Sequence, residues 1–359
     1  MEYNFHGADI YTASKNSGID ENCIIDFSSN INPLGIHENV NNAIINSIKH
    51  ANRYPDINNR ELISSLSAHE KIPKAWIFCS NGAAEAIFRI ALYLKPKKAL
   101  LTAPTFSEYE QALKAVGCNN IDYFNLNEEN EFKITDQITD SISDGTDIIF
   151  ICNPNNPTGQ LTDKALLERV VSHCRTKNIK VVIDECFMDF VENKEKHSVV
   201  DLLEKYDNLI ILKAFTKIYA IPGIRLGYCM TSDIETINGL KVSGPPWSVS
   251  VAAQAAGVAA LEEKDYILKS VTYVNKQRRF LMREMKKLKL RAYEANANYI
   301  LFKYTGDKDL HRELMEKNIL IRSCSDYKCL GSQYYRIAVK SEYDNKLILK
   351  KLKEIMVSK

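Results

Sequence analysis

A lysine and an arginine eight positions apart could together bind a phosphorylated carbonyl compound. Lys217 follows the apolar run Leu209–Leu212, and Arg225 lies beyond the turn at Pro222 and Gly223. A deprotonated lysine amine reacts with carbonyl groups, and an arginine guanidinium binds phosphate through a planar fork of donors. A strand end followed by an ordinary basic loop would give the same pattern. The neighbouring motifs decide between these two interpretations.

Four other apolar runs are followed by residues that could serve the same pocket. In open α/β sheets, ligands bind beyond the carboxyl ends of the strands. Taken singly, each of these residues could be a helix cap, a core ring or a structural amide. Because every one of them follows a predicted strand, coincidence is the weaker interpretation. They are the helix-start residues Ala83 and Ala84, the ring of Phe106, the amide of Asn156 in a Pro-rich loop, and the carboxylate of Asp184.

Seven short apolar runs alternate with amphipathic stretches between residues 76 and 230. This alternation predicts an α/β fold with a mostly parallel sheet between helices. The predicted strands are Trp76–Cys79, Ala99–Thr102, Ile121–Phe124, Asp147–Cys152, Ile179–Ile183, Leu209–Leu212 and Leu226–Met230.

The chain divides into three parts on sequence pattern. Residues 1–35 are predicted to be mostly irregular and to form an arm that packs with the small domain. Residues 36–250 are predicted to form the large domain, with helices near 38–50 and 59–69. Residues 251–359 are predicted to form a smaller α+β domain, with a long charged helix at 263–288 as the linker.

The composition argues against several classes of function. The 47 basic and 45 acidic side chains give a net charge of +2, so no basic surface predicts binding to nucleic acid. No apolar run predicts a signal peptide or a membrane span. The nine cysteines are scattered without a CxxC motif, which favours reduced thiols and a cytoplasmic protein. The seven histidines show no metal-ligand spacing, and the usual nucleotide-binding glycine motifs are absent.

Together, these motifs resemble the fold-type I pyridoxal-phosphate enzymes of the aminotransferase class I/II group. The resemblance implies an α/β large domain with a seven-stranded, mostly parallel sheet, a small α+β domain, and a homodimer with shared active sites. The motifs occur in the family's order and span most of the chain: Asn153-Pro-Asn-Asn-Pro-Thr-Gly159, Asp184-Glu185, Thr216-Lys217, Gly223 and Arg225.

The resemblance also implies a role for each cofactor-binding residue. Lys217 would bind pyridoxal 5'-phosphate covalently, and Asp184 would keep its ring nitrogen protonated. Phe106 would stack on the ring, and Asn156 would contact the ring hydroxyl oxygen. The remaining residues would hold the phosphate, the last of them in the partner subunit: Ala83, Ala84, Thr216, Arg225 and Tyr54.

Within the group, two branches compete. The chain is similar to histidinol-phosphate aminotransferases, and it looks closer to the threonine-phosphate decarboxylases of cobalamin synthesis. The decarboxylase marks include His6-Gly7, the loop at 26–35 and Phe187 in place of a tyrosine. Two residues depart from the decarboxylase pattern: Ala8 replaces a glycine, and Lys213 stands where arginine is frequent. Outside catalysis, a pyridoxal-phosphate-binding regulator is the rival interpretation.

Substrate orientation would separate the two branches. In an aminotransferase, the second of the two small-domain arginines would hold the α-carboxylate. In a decarboxylase, both arginines would bind a side-chain phosphate, which frees the carboxylate to leave as CO2. The residues expected to bind a small phosphorylated amino-acid substrate are His6, Ser29, Asn32, Asn156, Arg322 and Arg336.

Overall fold

The computed structural model describes residues 7–357 and begins with a helix that the sequence pattern did not predict. Helix α1 (Ile10–Ser17) lies within the arm that was expected to be irregular. Asp9 caps it by accepting a hydrogen bond from the Thr12 amide, and Gly18 ends it with a φ of 74°. The helix has no buried residue, so no apolar stripe marked it in the sequence.

The arm then leads into two helices close to their predicted positions. A two-residue strand comes first, and the chain enters the central sheet after the second helix. These elements are β1 (Ile25–Asp26), α2 (Glu38–Ser47) and α3 (Arg60–Glu70).

A seven-stranded sheet forms the centre of the molecule and confirms the predicted strands within two residues at each end. Its order is β2-β8-β7-β6-β5-β3-β4. Strand β8 is antiparallel to both neighbours, and the other pairs are parallel. The strands are β2 (Ile77–Ser80), β3 (Lys98–Ala103), β4 (Asn120–Asn125), β5 (Ile148–Cys152), β6 (Lys180–Asp184), β7 (Leu209–Ala214) and β8 (Gly227–Met230).

Helices cover both faces of this sheet and bury two apolar cores. Successive strand residues point to opposite faces. Ile149 and Ile151 therefore join one core, whereas Ile148 and Phe150 join the other. The helices between the strands, and the one that follows the sheet, are α4 (Gly82–Leu94), α5 (Glu108–Ala115), α6 (Lys164–Thr176), α7 (Phe215–Ile218) and α8 (Ile234–Val242).

The C-terminal part adds a four-stranded antiparallel sheet of order β12-β13-β10-β9. Strand β1 pairs in parallel with β11, so the N-terminal arm contacts this part of the chain. The predicted long helix is present as α10. The elements are α9 (Val251–Glu262), α10 (Lys264–Lys287), β9 (Arg291–Ala292), β10 (Tyr299–Lys303), α11 (Leu310–Met315), β11 (Ile319–Leu320), β12 (Arg322–Ser323), β13 (Tyr334–Ala338) and α12 (Glu342–Val357).

Among the helices of residues 7–357, none has both the length and the apolar character needed to cross a membrane.

Candidate active site

A cavity at the carboxyl ends of strands β3, β5, β6 and β7 brings most of the predicted site residues together. The strands are parallel there, so the residues that follow them meet at one edge of the sheet. Residues from the N-terminal arm and from strands β12 and β13 close the other side. The predicted residues that line this cavity are Ser29, Ala83, Ala84, Phe106, Asn156, Asp184, Thr216, Lys217, Arg225, Arg322 and Arg336.

One end of the cavity has the character of a phosphate site. The amides of Ala83 and Ala84 lie in the first turn of α4, whose N-cap residue makes no side-chain capping bond. Gly82 has a φ of +75°, and a Cβ there would lie 2.5 Å from Nη2 of Arg225. A Cβ on Gly227 would lie 2.4 Å from the Ala83 nitrogen. The two glycines therefore let Arg225 and strand β8 approach a helix N-terminus, where anions bind favourably.

Asp184 has a partner on each carboxylate oxygen. The Tyr109 hydroxyl donates to Oδ2 at 2.6 Å, and the Cys186 amide donates to Oδ1 at 2.9 Å. Tyr109 is fully buried and stacks on Phe150 with ring centroids 5.0 Å apart. These contacts hold the carboxylate at the end of β6, and it has no ion pair within residues 7–357. The hydrogen bond from Tyr109 was not predicted from the sequence.

Lys217 lies in the short helix α7, directly after β7. Burial comes first among the causes that lower the pKa of Lys217 to about 8, and the positive charges of Arg336 and Arg225 add to it. Its amine lies 5.8 Å from the Phe187 ring centre. A pKa near neutrality leaves a substantial fraction of the amine deprotonated, as nucleophilic and proton-transfer roles require.

The two small-domain arginines have different partners. Arg336 donates from Nη1 to Oδ1 of Asn156 and from Nη2 to the Ser28 carbonyl at 2.8 Å. Its Nε is buried and has no hydrogen-bond partner among the described residues. Arg322 donates to the Ser323 carbonyl and to the Asp326 carboxylate, each at 2.7 Å.

The structure corrects one predicted substrate contact. Asn32 does not line the cavity, because its side-chain nitrogen lies within 2.9 Å of the Ile218 carbonyl, the Tyr266 hydroxyl and the Ser270 hydroxyl and donates its two hydrogens among them. Those bonds hold the loop to α7 and α10, so Asn32 is a structural residue. Asn30 lines the cavity instead. It is 3% exposed, and its Oδ1 has no hydrogen-bond partner within residues 7–357.

Two other predicted residues stand apart from the cavity. Tyr54 is 79% exposed and packs against Trp247 with ring centroids 4.6 Å apart and ring planes tilted by 31°. An exposed position agrees with a role in a partner subunit, and that role stays a prediction. His6 lies outside the described residues.

Ala8 and Lys213, the two residues that depart from the decarboxylase pattern, both make defined contacts in the structure. Ala8 has a φ of 73°, a conformation that glycine adopts more easily, and its amide donates to the Ser28 hydroxyl at 2.7 Å. The Lys213 amine lies 3.1 Å from both carboxylate oxygens of Glu70 and 3.8 Å from Glu185. Burial disfavours the charged amine, but the carboxylates outweigh it and raise the pKa of Lys213. Lys213 does not line the cavity.

Several further residues line the cavity and were not singled out as site residues. Gly7, Ser28 and Asn30 belong to segments quoted above as motifs, and the place of the others in the fold brings them to the site. They are Gly7, Ser28, Asn30, Ser107, Glu108, Cys152, Cys186, Ala214 and Tyr327.

The residues present fit pyridoxal phosphate. A helix N-terminus, a hydroxyl and an arginine suit its phosphate, Asp184 suits its ring nitrogen, and Lys217 suits its carbonyl carbon. The fold and this donor set define a fold-type I pyridoxal-phosphate enzyme. The family model for aminotransferase class I and II matches residues 22–352, and the chain belongs to that family. Pyridoxal phosphate is therefore its cofactor.

Individual relatives point to two branches of the family. The chain is 36% identical over 353 residues to threonine-phosphate decarboxylase from Salmonella typhimurium, covering 98% of this chain and 96% of the relative. It is 31% identical to an adenosylcobalamin biosynthesis bifunctional protein from Leptospira interrogans, covering 96% of this chain and 40% of that protein. The structure of histidinol-phosphate aminotransferase from Clostridium acetobutylicum is similar, with a TM-score of 0.86, 32% identity, and coverage of 92% and 98%.

Proposed function

We propose that this chain decarboxylates L-threonine O-3-phosphate to (R)-1-aminopropan-2-ol O-2-phosphate and CO2 in adenosylcobalamin biosynthesis. The observation that carries the proposal is the convergence of Arg322, Arg336 and the loop Ser28–Asn30 on one side of the cavity. Two guanidinium groups and several neutral polar groups suit a phosphate dianion better than a single carboxylate. The 36% identity to threonine-phosphate decarboxylase over nearly the whole chain supports the same substrate.

Each residue has a defined task in this proposal. Arg322, Arg336, Ser29 and Asn30 bind the side-chain phosphate, and His6 is expected to add to them. Arg336 is then not available to hold the α-carboxylate, which can stand perpendicular to the cofactor ring. The bound cofactor stabilises negative charge on the substrate's α-carbon. Lys217 supplies the proton that this carbon receives after CO2 leaves.

A second candidate is histidinol-phosphate aminotransferase activity. The structure of the Clostridium acetobutylicum aminotransferase favours it, with 32% identity to this chain. Its named substrate also combines an amine with a phosphate, so the same two arginines could bind it. In that case, Arg336 would also hold the carboxylate of the second substrate.

A split assay on the cofactor-loaded protein separates the two functions. One arm supplies L-threonine O-phosphate alone and measures CO2. The other supplies histidinol phosphate with 2-oxoglutarate and measures glutamate. Steady release of CO2 without a keto acid is the expected result. Glutamate formation without CO2 would refute the decarboxylase proposal and establish the aminotransferase. A protein inactive in both arms that still absorbs visible light through its cofactor would support a non-catalytic role.

We also propose a two-domain cytoplasmic homodimer. The large domain comprises residues 36–250, and the small domain comprises residues 251–359 with residues 1–35 packed on it. The pairing of β1 with β11 supports the position of the arm. The exposed contact between the rings of Tyr54 and Trp247 supports a subunit interface. The nine cysteines, all free, support a reducing compartment.

A further inference from the structure

Two buried arginines face each other across neighbouring strands of the small sheet. The antiparallel pairing of β12 with β13 places Arg322 directly opposite Arg336. Both side chains are largely buried, and both line the active-site cavity. Like charges directly opposite each other on adjacent strands are destabilising. The resting protein therefore needs a local source of negative charge beside this pair.

Only one of the two arginines carries an anionic partner within residues 7–357. Arg336 is held by neutral acceptors, the Asn156 amide oxygen and the Ser28 carbonyl. Arg322 pairs with the Asp326 carboxylate, whose Oδ2 lies 2.7 Å from Nη2. The two arginines and Asp326 together carry one net positive charge. Asp326 therefore balances half of the charge that the arginine pair would offer to a ligand.

Asp326 binds Arg322 from outside the active-site cavity. Arg322 lines this cavity and two neighbouring cavities, whereas Asp326 lines only the neighbouring ones. The Asp326 side chain is 32% exposed, and the Arg322 side chain is 10% exposed. Water therefore solvates the carboxylate in part, and it can remain in place or turn outward when a second anion reaches Arg322. In both cases, its charge opposes the binding of that anion.

A phosphate group passes through both candidate reactions unchanged. Decarboxylation and transamination alter bonds at the α-carbon or the amine, so the product keeps the phosphate of the substrate. Interactions with an unchanged group bind substrate and product alike, and they retain the product as strongly as the substrate. An arginine pair without a counter-charge would therefore slow the release of the product.

We propose that Asp326 is a built-in counter-anion that weakens the grip of Arg322 and Arg336 on the phosphate group, so that the phosphorylated product can leave. The inference rests on the proposed function only in assigning a phosphate to these arginines. It applies to a product of either branch.

Methyl phosphate is a suitable probe because it has a phosphate dianion but no amine or carboxylate that could react. Its affinity is measured by titration calorimetry on the cofactor-loaded protein, in which the cofactor fills the Arg225 phosphate site. Asp326→Asn removes the charge and keeps a hydrogen-bond acceptor for Arg322. Glu316→Gln is the matched control. Glu316 lines a cavity that Asp326 also lines, and it pairs with the exposed Arg312 at 3.5 Å.

We expect Asp326→Asn to bind methyl phosphate about fivefold tighter than the wild type, a modest factor because Asp326 is partly exposed. Glu316→Gln should bind it as the wild type does. In a background carrying Arg322→Gln, Asp326→Asn should give a smaller gain, because only the direct repulsion between the carboxylate and the phosphate is then removed. Unchanged or weaker binding in Asp326→Asn would overturn the proposal, since Asp326 would then only hold Arg322 in place. If Asp326→Asn binds methyl phosphate more tightly but the split assay shows no CO2 release, the decarboxylase function is refuted and the role of Asp326 stands.

Discussion

The pKa of Lys217 depends on the positively charged side chains around it. Burial lowers its pKa most, and Arg336 is the next cause, giving a value of about 8. In the cofactor-free protein, we expect the reaction of this amine with an acylating reagent to rise with pH through a midpoint near 8, because only the neutral amine reacts. Peptide mapping after labelling at a series of pH values measures that midpoint.

Two arginine variants test the cause of this shift. Arg336→Gln removes a positive neighbour, which favours the protonated amine, so the midpoint should move to higher pH. Arg322→Gln is the control, because the charge of Arg322 is not among the main causes of the shift. A wild-type midpoint near the ordinary lysine value of 10.5 would contradict the prediction.

Tyr109 positions Asp184 from behind the cavity. Its hydroxyl donates the hydrogen bond to Oδ2 at 2.6 Å inside a fully buried environment. Tyr109→Phe keeps the ring stack on Phe150 and leaves one carboxylate oxygen without this donor. We expect the free energy of unfolding of the cofactor-free protein to fall by about 1–3 kcal/mol, the usual cost of an unsatisfied buried acceptor. Denaturant titration measures it.

Tyr206 provides the comparison for Tyr109. Its hydroxyl donates to Glu168 at 3.2 Å in a more exposed setting. Tyr206→Phe should therefore cost less than about 0.5 kcal/mol. An equal loss in the free energy of unfolding for the two variants would show that the hydrogen bond to Asp184 stabilises the protein no more than the one to Glu168.

At the scale of elements, the start of α4 determines how the cofactor phosphate is held. Gly82→Ala would place a Cβ 2.5 Å from Nη2 of Arg225 and would displace that guanidinium. We expect the dissociation constant for pyridoxal phosphate to rise about tenfold or more, with little change for pyridoxal, which lacks the phosphate. Fluorescence titration of the cofactor-free variants measures both constants.

A substitution at Gly117 separates the effect of backbone strain on cofactor affinity from the effect of the clash with Arg225. Its φ is +82°, close to that of Gly82, and an added Cβ would meet nothing within 4 Å. Gly117→Ala should therefore share the strain of the left-handed conformation and keep cofactor affinity. If both variants lose affinity alike, strain and not the displacement of Arg225 is responsible.

The sequence predicted strands better than it predicted contacts between strands. Most strands of this sheet are buried, apolar runs, and all seven could be located from such runs before the structure was known. The contact between Tyr109 and Asp184 joins a helix after β3 to the end of β6, and β5 lies between those strands in the sheet. Sequence order does not reveal such a neighbour. Asn30 and Asn32 share one loop, and only the backbone path shows that Asn30 faces the cavity.

At the scale of the whole molecule, the exposed pair Tyr54 and Trp247 bears on how active sites are assembled. Tyr54 is 79% exposed and Trp247 is 42% exposed, although the two rings pack against each other. Exposed aromatic residues of this kind are enriched at protein interfaces. If the chain forms the proposed homodimer, each Tyr54 would face the site that contains Lys217 of the partner subunit.

Mixed dimers test this sharing of sites directly. Tyr54→Phe and Lys217→Ala are each expected to lose most activity when pure. If the two residues come from different subunits, a mixed dimer contains one site with both native residues and one site with neither. Random exchange after mild denaturation and refolding should then restore about one quarter of the wild-type activity per chain.

Mixing Lys217→Ala with Asp184→Ala is the control, because both residues line one cavity of one chain. That mixture should stay inactive, since every site in it carries a defect. Failure of the first mixture to recover would place Tyr54 outside the partner's site, and recovery in the control would mean that Lys217 and Asp184 act across the interface.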